Sequence, residues 1–343
     1  MNPTITDRVN ISRNLAYKRV ARFSGLGGLC LYFPLTLLFA KCFGVAPETR
    51  LVHAILLLAV FVIVPLGVSL IAREGEDDRC IFRVLVVLQP IGAILVFLSF
   101  LLGTGTLPAA LASVWLVFTV IAALFGLSRL LKPGLRKTSE LSINAGLLFL
   151  PIGAVWLIAS RLDIQPLGFG ETIVLLTAVH FHFAGFAAPV LAGLAGRRLT
   201  AVKNADKAHA GAVACIVAGT PLVAAGITVS PAMALAGATI ISVGLILLAV
   251  LVCVCVVPTI PLRASQVLLV ISSLATLPAM LLACTYAYSI VFKKLLVDIP
   301  LMAMTHGIAN AFGFALCGLL AWSILDSARS SSTEKFIERS MTQ

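Results

Sequence analysis

Charge is what this chain has least of. Only 11% of its 343 residues are Asp, Glu, Lys or Arg, and 60% are hydrophobic; an average soluble domain carries about 25% charged residues. So little charge excludes an ordinary soluble enzyme. So much hydrophobicity excludes a disordered chain, which stays unfolded through the opposite balance. Acid is scarcer than base: 14 Asp and Glu stand against 25 Lys and Arg, for a formal charge of +11. Eight cysteines are too few for a disulfide scaffold, and no CxxC pair occurs. Cys30, Cys42, Cys215, Cys253, Cys255, Cys284 and Cys317 lie in or beside apolar runs and read as small membrane-embedded residues. Also missing are the GxxxxGK[ST] phosphate loop, HExxH, GxSxG, and the paired DxxxD of magnesium-dependent prenyl chemistry. Gly168-Phe169-Gly170 lacks the strand context of a nucleotide site. ATP-driven and metal-diphosphate chemistry lose ground, and no metal or cofactor is expected.

What is present is long apolar runs. About 206 residues are apolar, and at ~20 per crossing they supply roughly ten membrane helices. The runs fall at 24–44, 51–72, 81–102, 107–128, 140–160, 168–195, 209–229, 232–257, 264–292 and 299–325. None shows the apolar/polar alternation of a barrel strand, so each is a helix. The fold expected is an all-α polytopic bundle of about ten spans. The shortest break lies between the seventh and eighth, at Thr228, Ser230 and Pro231.

The basic residues orient this bundle. With the N-terminus in the cytoplasm, the inside segments hold twenty Lys and Arg, among them Arg8, Arg22, Arg73, Arg129, Arg197 and Arg329. The outside segments hold five: Lys41, Arg50, Arg161, Lys293 and Lys294. The positive-inside rule therefore places both termini in the cytoplasm. The excess charge becomes a cytoplasmic rim facing anionic lipid, and nucleic acid is not an expected partner. Residues 1–23 read as a basic cytoplasmic segment without a signal-peptide cleavage site, with Val9, Ala16 and Val20 as a weak apolar face. Residues 24–325 form the membrane domain, and 326–343 a polar, Ser-rich tail.

Ionisable residues deep in a span are costly, so they mark functional candidates. The deep titratable groups read from the sequence are His180, His182 and His306. His180 lies 12 residues into the sixth run, about 18 Å along a helix and near the bilayer midplane. His180 and His182 are ~200° apart on a regular helix, so they face opposite sides and do not share one metal. His182 falls on the stripe of Glu171, and His180 falls above Thr177. Pro189 clashes with the carbonyl of Gly185, so the helix is expected to break beside the two histidines. In the tenth run His306 and Asn310 are i and i+4, on one face, between Gly307 and Gly313. His182, Glu171, His306, Asn310, Tyr286 and Tyr288 are expected to line one cavity opening outward, with Asp163 and Asp298 near its mouth.

Blander readings stand beside these. The histidines and Asn310 also serve as interhelical hydrogen-bonding groups. Glu171 also suits the N-terminus of a helix, where the dipole favours a carboxylate. Tyr286, Tyr288, Trp115, Trp156 and Trp322 also fit the interface belt or packing, and Gln89 beside Pro90 fits a polar patch at a kink. Seven spans carry one proline in their interior (Pro34, Pro65, Pro90, Pro151, Pro189, Pro221 and Pro278), which suits bent helices around a cavity. Asn144-Ala145 precedes Trp156 by the same 12 residues that separate Asn310-Ala311 from Trp322, a faint sign of two inverted halves of five spans.

Three segments carry a family resemblance. Leu176-Thr177-Ala178-Val179-His180-Phe181-His182-Phe183-Ala184-Gly185-Phe186, Thr305-His306-Gly307-Ile308-Ala309-Asn310-Ala311-Phe312-Gly313-Phe314, and Asn144-Ala145-Gly146 through Trp156 resemble the YndJ-like family of bacterial multi-pass membrane proteins. The resemblance lies mainly in residues 140–325, the first four spans matching only in hydropathy. It implies membrane localisation and importance for these segments.

Two functions from different classes remain. One is a small-molecule transporter of the bacterial inner membrane, in which the histidine site of the sixth and tenth helices binds substrate or carries a proton. The other is a membrane-integral enzyme acting on a lipophilic, isoprenoid-like substrate by protonation, isomerisation or cyclisation. That enzyme would use Glu171 or Asp163 as acid, His182 or His306 as further catalytic groups, and aromatic faces around a cationic intermediate. A structural role and a dihaem carrier are the remaining alternatives. The bilayer and a small or lipophilic substrate are the partners expected.

Overall fold

The computed structural model describes residues 5–42, 47–71, 79–132, 137–199 and 205–341. Among them every regular element is helical and no strand occurs. Ten helices are long and apolar enough to cross a membrane: α1 Ala16–Leu37, α2 Thr49–Ile71, α3 Cys80–Leu101, α4 Thr106–Leu130, α5 Thr138–Arg161, α6 Glu171–Leu199, α7 Ala205–Val229, α8 Pro231–Thr259, α9 Arg263–Val291 and α10 Ile299–Ser331. From α2 onward these agree with the apolar runs to within six residues at either end.

The first span differs. It begins eight residues earlier than its apolar run, inside a continuous helix Ile5–Cys42. Charge near its start is absorbed by packing: Arg22 pairs with Asp326, and its Nη1 donates to Ser327 Oγ at 2.6 Å. The helix Cys317–Met341 likewise runs past residue 325 without a break. The first and tenth spans therefore meet at one end of the bundle, which also holds Lys137 and Arg197 and is called here the Glu140 end. The loops around Asp163 and Lys293 lie at the other, the Asp163 end.

Three helices share a local device. In α2, α6 and α8 a π-helical stretch, Ala59–Ile63, Phe181–Ala187 and Val252–Val256, ends two residues before Pro65, Pro189 and Pro258 respectively. Proline has no N–H and its ring clashes with the preceding turn; a wider turn relieves the clash and leaves carbonyls short of a donor. In α2 and α6 a carbonyl of the stretch is met from another helix. Gln89 Nε2 donates to Val60 O at 2.9 Å, while its Oε1 accepts from Ser24 Oγ at 2.6 Å. Thr220 Oγ1 lies 3.3 Å from Ala184 O. Val60 and Ala184 each stand five residues before a proline, at the i→i−5 spacing of a π-helix. The break expected near Gly185 is this π-helical stretch.

The α7–α8 connection is a single residue, Ser230, in extended conformation. Glycines bring the two helices together. A Cβ on Gly226 would stand 2.2 Å from Ala234 N, and one on Gly237 2.6 Å from Val223 N. Helices in lipid gain by such close approach, because no hydrophobic effect draws them together.

α2 and α6 occupy the interior. The apolar stretch of α2 is 94% buried and that of α6 is 67% buried, whereas α1, α7 and α9 lie at the rim.

Candidate functional site

α6 changes character at His180. Toward the Asp163 end, Ile173, Leu176 and Thr177 are half-buried and His180 is exposed; from Phe181 to Gly196 every residue except Ala184 is buried. The helix therefore presents one open stripe along its first half and is sealed along its second. His180 closes the open stripe, nine residues after Glu171, about 14 Å along the axis.

Across from it stands α10, also widened into π-helix over Ala303–Gly307 and Ala309–Leu316. The imidazoles of His180 and His306 face each other with centroids 6.4 Å apart and planes 24° apart. Each ring is held from behind. His180 Nδ1 donates to Leu176 O and His306 Nδ1 to Ala279 O, both at 2.7 Å. A carbonyl can only accept, so each Nδ1 carries the hydrogen. Asn310 Nδ2 donates to His306 O at 2.9 Å and to His306 Nε2 at 3.2 Å, which fixes the amide orientation. Among the described residues no hydrogen bond engages His180 Nε2.

His182 lies elsewhere. The sequence groups it with Glu171, His306 and Asn310 in one expected cavity; the structure instead turns it to the opposite side of α6, against α4 and α5. There it is fully buried, with Trp115 Nε1 donating to its Nε2 at 3.0 Å and its Nδ1 donating to Ala178 O at 2.7 Å. Gly153 makes the room, since a Cβ there would stand 2.7 Å from His182 Nδ1. Both ring nitrogens of His182 are thus engaged inside the protein. The physical reason is angular: two residues apart on a helix means nearly opposite faces, and the face of His180 is the open one.

The remaining candidates are spread over α6, α9, α10 and the loops at the Asp163 end. Thr177 stands one turn from His180 and donates to Ile173 O at 2.7 Å. Tyr286 is half-buried, two turns along α9 from Ala279 and so on the face that meets His306. Tyr288 is on another face, exposed, its ring 4.3 Å from Phe292. Glu171 is exposed at the start of α6. The Asp298 side chain caps α10 by accepting from Leu301 N at 2.9 Å. Asp163 sits in a loop with φ of 57°. Among the described residues no group of three or more His, Cys, Asp or Glu is placed to hold a metal.

Two buried polar clusters lie outside what the sequence reveals. At the Glu140 end, Arg129 Nη2 donates to Glu140 Oε2 at 2.6 Å, and Arg197 grips the same carboxylate through Nε at 2.8 Å and Nη2 at 2.9 Å. Arg129 Nε reaches Asn144 Oδ1 at 2.9 Å, and Arg197 also caps the last carbonyls of α2, Leu70 O and Ile71 O. Arg129 and Arg197, two of the charges assigned to the cytoplasmic rim, thus tie α2, α4, α5 and α6 together. At the Asp163 end, Arg161 lies 4.2 Å over the ring of Phe100 and donates to Gly103 O at 3.2 Å, with His53 on Phe100 at 4.5 Å. Glu140 opens the fifth apolar run, and that is the one local signal of the first cluster; nothing local marks its partners.

A family model described as YndJ-like protein matches residues 54–314, reaching into α2 and so beyond the segment that carried the resemblance. A protein of Bacillus subtilis (strain 168), described as uncharacterized membrane protein YndJ, is 28% identical over 284 residues, covering 82% of this chain and 50% of that protein. The chain thus spans about half the length of this curated relative. No solved structure matches.

Proposed function

The chain belongs to the YndJ-like family of membrane proteins, and from that membership and the α6–α10 site we propose that it is a small-molecule transporter of a bacterial cytoplasmic membrane, with its termini in the cytoplasm. One observation carries this reading: α6 has an exposed and half-buried stripe along its first half, is almost wholly buried along its second, and bears a paired imidazole at the change. Alternating access places its binding group near mid-depth beside non-α backbone, and the His180–His306 pair meets both conditions on the proposed span. The Glu140–Arg197 cluster closes the other end, in keeping with a state open to one side. The charge asymmetry along the sequence supports the orientation.

The rival is an enzyme acting on a lipophilic substrate, and it needs an acid beside the histidines. Glu171 is about 14 Å along the helix from His180, and His182 is spent on Trp115. Both facts weigh against it. The two readings separate in reconstituted vesicles given a bacterial metabolite extract and analysed by mass spectrometry. Unaltered solutes gained by vesicles holding the protein, and lost with H180A or H306A, support transport. A covalently altered lipid, with no solute gained, overturns it.

A further inference from the structure

We propose, resting on the transport reading, that the His180–Asn310 site selects its ligand by hydrogen-bond donors: an alcohol, amine or ammonium head on an apolar body, and no carboxylate or phosphate. The inference comes from which hydrogens are already spent. His180 Nδ1–H goes to Leu176 O and His306 Nδ1–H to Ala279 O. Both amide hydrogens of Asn310 go to His306, at its carbonyl and at Nε2. The Thr177 hydroxyl hydrogen goes to Ile173 O.

With His180 uncharged, what remains without a hydrogen to give is three acceptors: Nε2 of His180, Oδ1 of Asn310 and Oγ1 of Thr177. No Lys or Arg occurs in 171–196 or in 299–325, so no cation on these two helices answers an anion. The phenol of Tyr286 lies two turns farther out along α9, about 10 Å on the helix axis from Ala279. A carboxylate here would set acceptor against acceptor and leave its own charge unpaired, a penalty that works as rejection. A donor head would meet Nε2 and Oδ1, and its apolar body would lie along Ile173 and Leu176.

The test is nitrogen NMR of the full chain in lipid nanodiscs, with its histidine side chains ¹⁵N-labelled. The unprotonated Nε2 resonance of His180 is assigned by its loss in H180Q. Three probes share one hydrocarbon: 3-phenylpropan-1-ol, 3-phenylpropylamine and 3-phenylpropanoate. The expected result is an upfield shift of that resonance with the alcohol and the amine, and none with the carboxylate. A shift with the carboxylate equal to that with the amine overturns the proposal, as does a His180 that carries its hydrogen on Nε2. The transport reading fails separately. Vesicles that move no solute, with the amine response intact, sink transport and keep the selectivity. Carboxylate uptake sensitive to H180A sinks the selectivity and keeps transport.

Discussion

The indole of Trp115 on α4 donates a hydrogen bond of 3.0 Å to His182 on α6, and because an indole can only donate, it holds the imidazole in one tautomer. The bond joins helices across 67 positions of sequence, between two fully buried side chains. Two histidines separated by a single phenylalanine thus sit in different surroundings: His182 is fully buried and bonded at both nitrogens, and His180 is exposed.

Removing the donor should expose this. W115F keeps most of the ring volume but leaves His182 Nε2 buried without a partner, which costs ~1–3 kcal/mol. The expected outcome is a lower midpoint of thermal unfolding in detergent, read by size-exclusion after heating, with solute flux at low temperature largely retained.

H180A should behave in the opposite way. The ring is exposed and its only protein hydrogen bond among the described residues is to its own helix, so thermal stability should change by less than about 0.5 kcal/mol, as for a surface site. Flux in vesicles should fall about tenfold or more, a loss of ~1.4 kcal/mol or more. H182A, assayed beside it, should reverse the pattern, with a large stability loss and a smaller loss of flux per folded molecule.

E140A should be the most damaging single change at the sealed end. It strips the carboxylate from two arginines that four helices share, and breaking a buried pair from one side costs ~3–5 kcal/mol. E140D, with a shorter reach, should recover part of the folded yield. Equal yields of E140A and wild-type protein in the same membranes would contradict this.

G226L addresses the α7–α8 hairpin. The close approach leaves no room for even one methyl group beside Ala234 N, so the helices must separate, at ~1–3 kcal/mol or more. G27L is the control: a Cβ on Gly27 meets nothing within 4 Å, and stability should be unchanged. The comparison is read as melting midpoints of the two variants.

Much of the architecture is legible in the sequence, for a simple reason. A helix in lipid must satisfy its own backbone, so a membrane span is written as a continuous apolar stretch of known length. α1 departs from this because Arg22 is neutralised by Asp326, 304 positions away, a compensation that no local window contains. The candidate site is legible in part. The opposed directions of His180 and His182 follow from helix geometry, and the i, i+4 pairing of His306 with Asn310 follows as well. Which direction is dry and which is open depends on the neighbours, and so Trp115, Gly153 and the Arg129–Glu140–Arg197 cluster emerge only in three dimensions. The same holds for the π-helical stretches of α10, which no proline announces.

The inward placement of α2 and α6 bears on how lipid acts on the molecule. A bilayer that is too thick or too thin exerts its force where helices touch acyl chains, and here that is chiefly α1, α7 and α9. α6 carries His180 but lies largely behind other helices, so mismatch reaches it second-hand, as a shift of neighbours sliding past a central post.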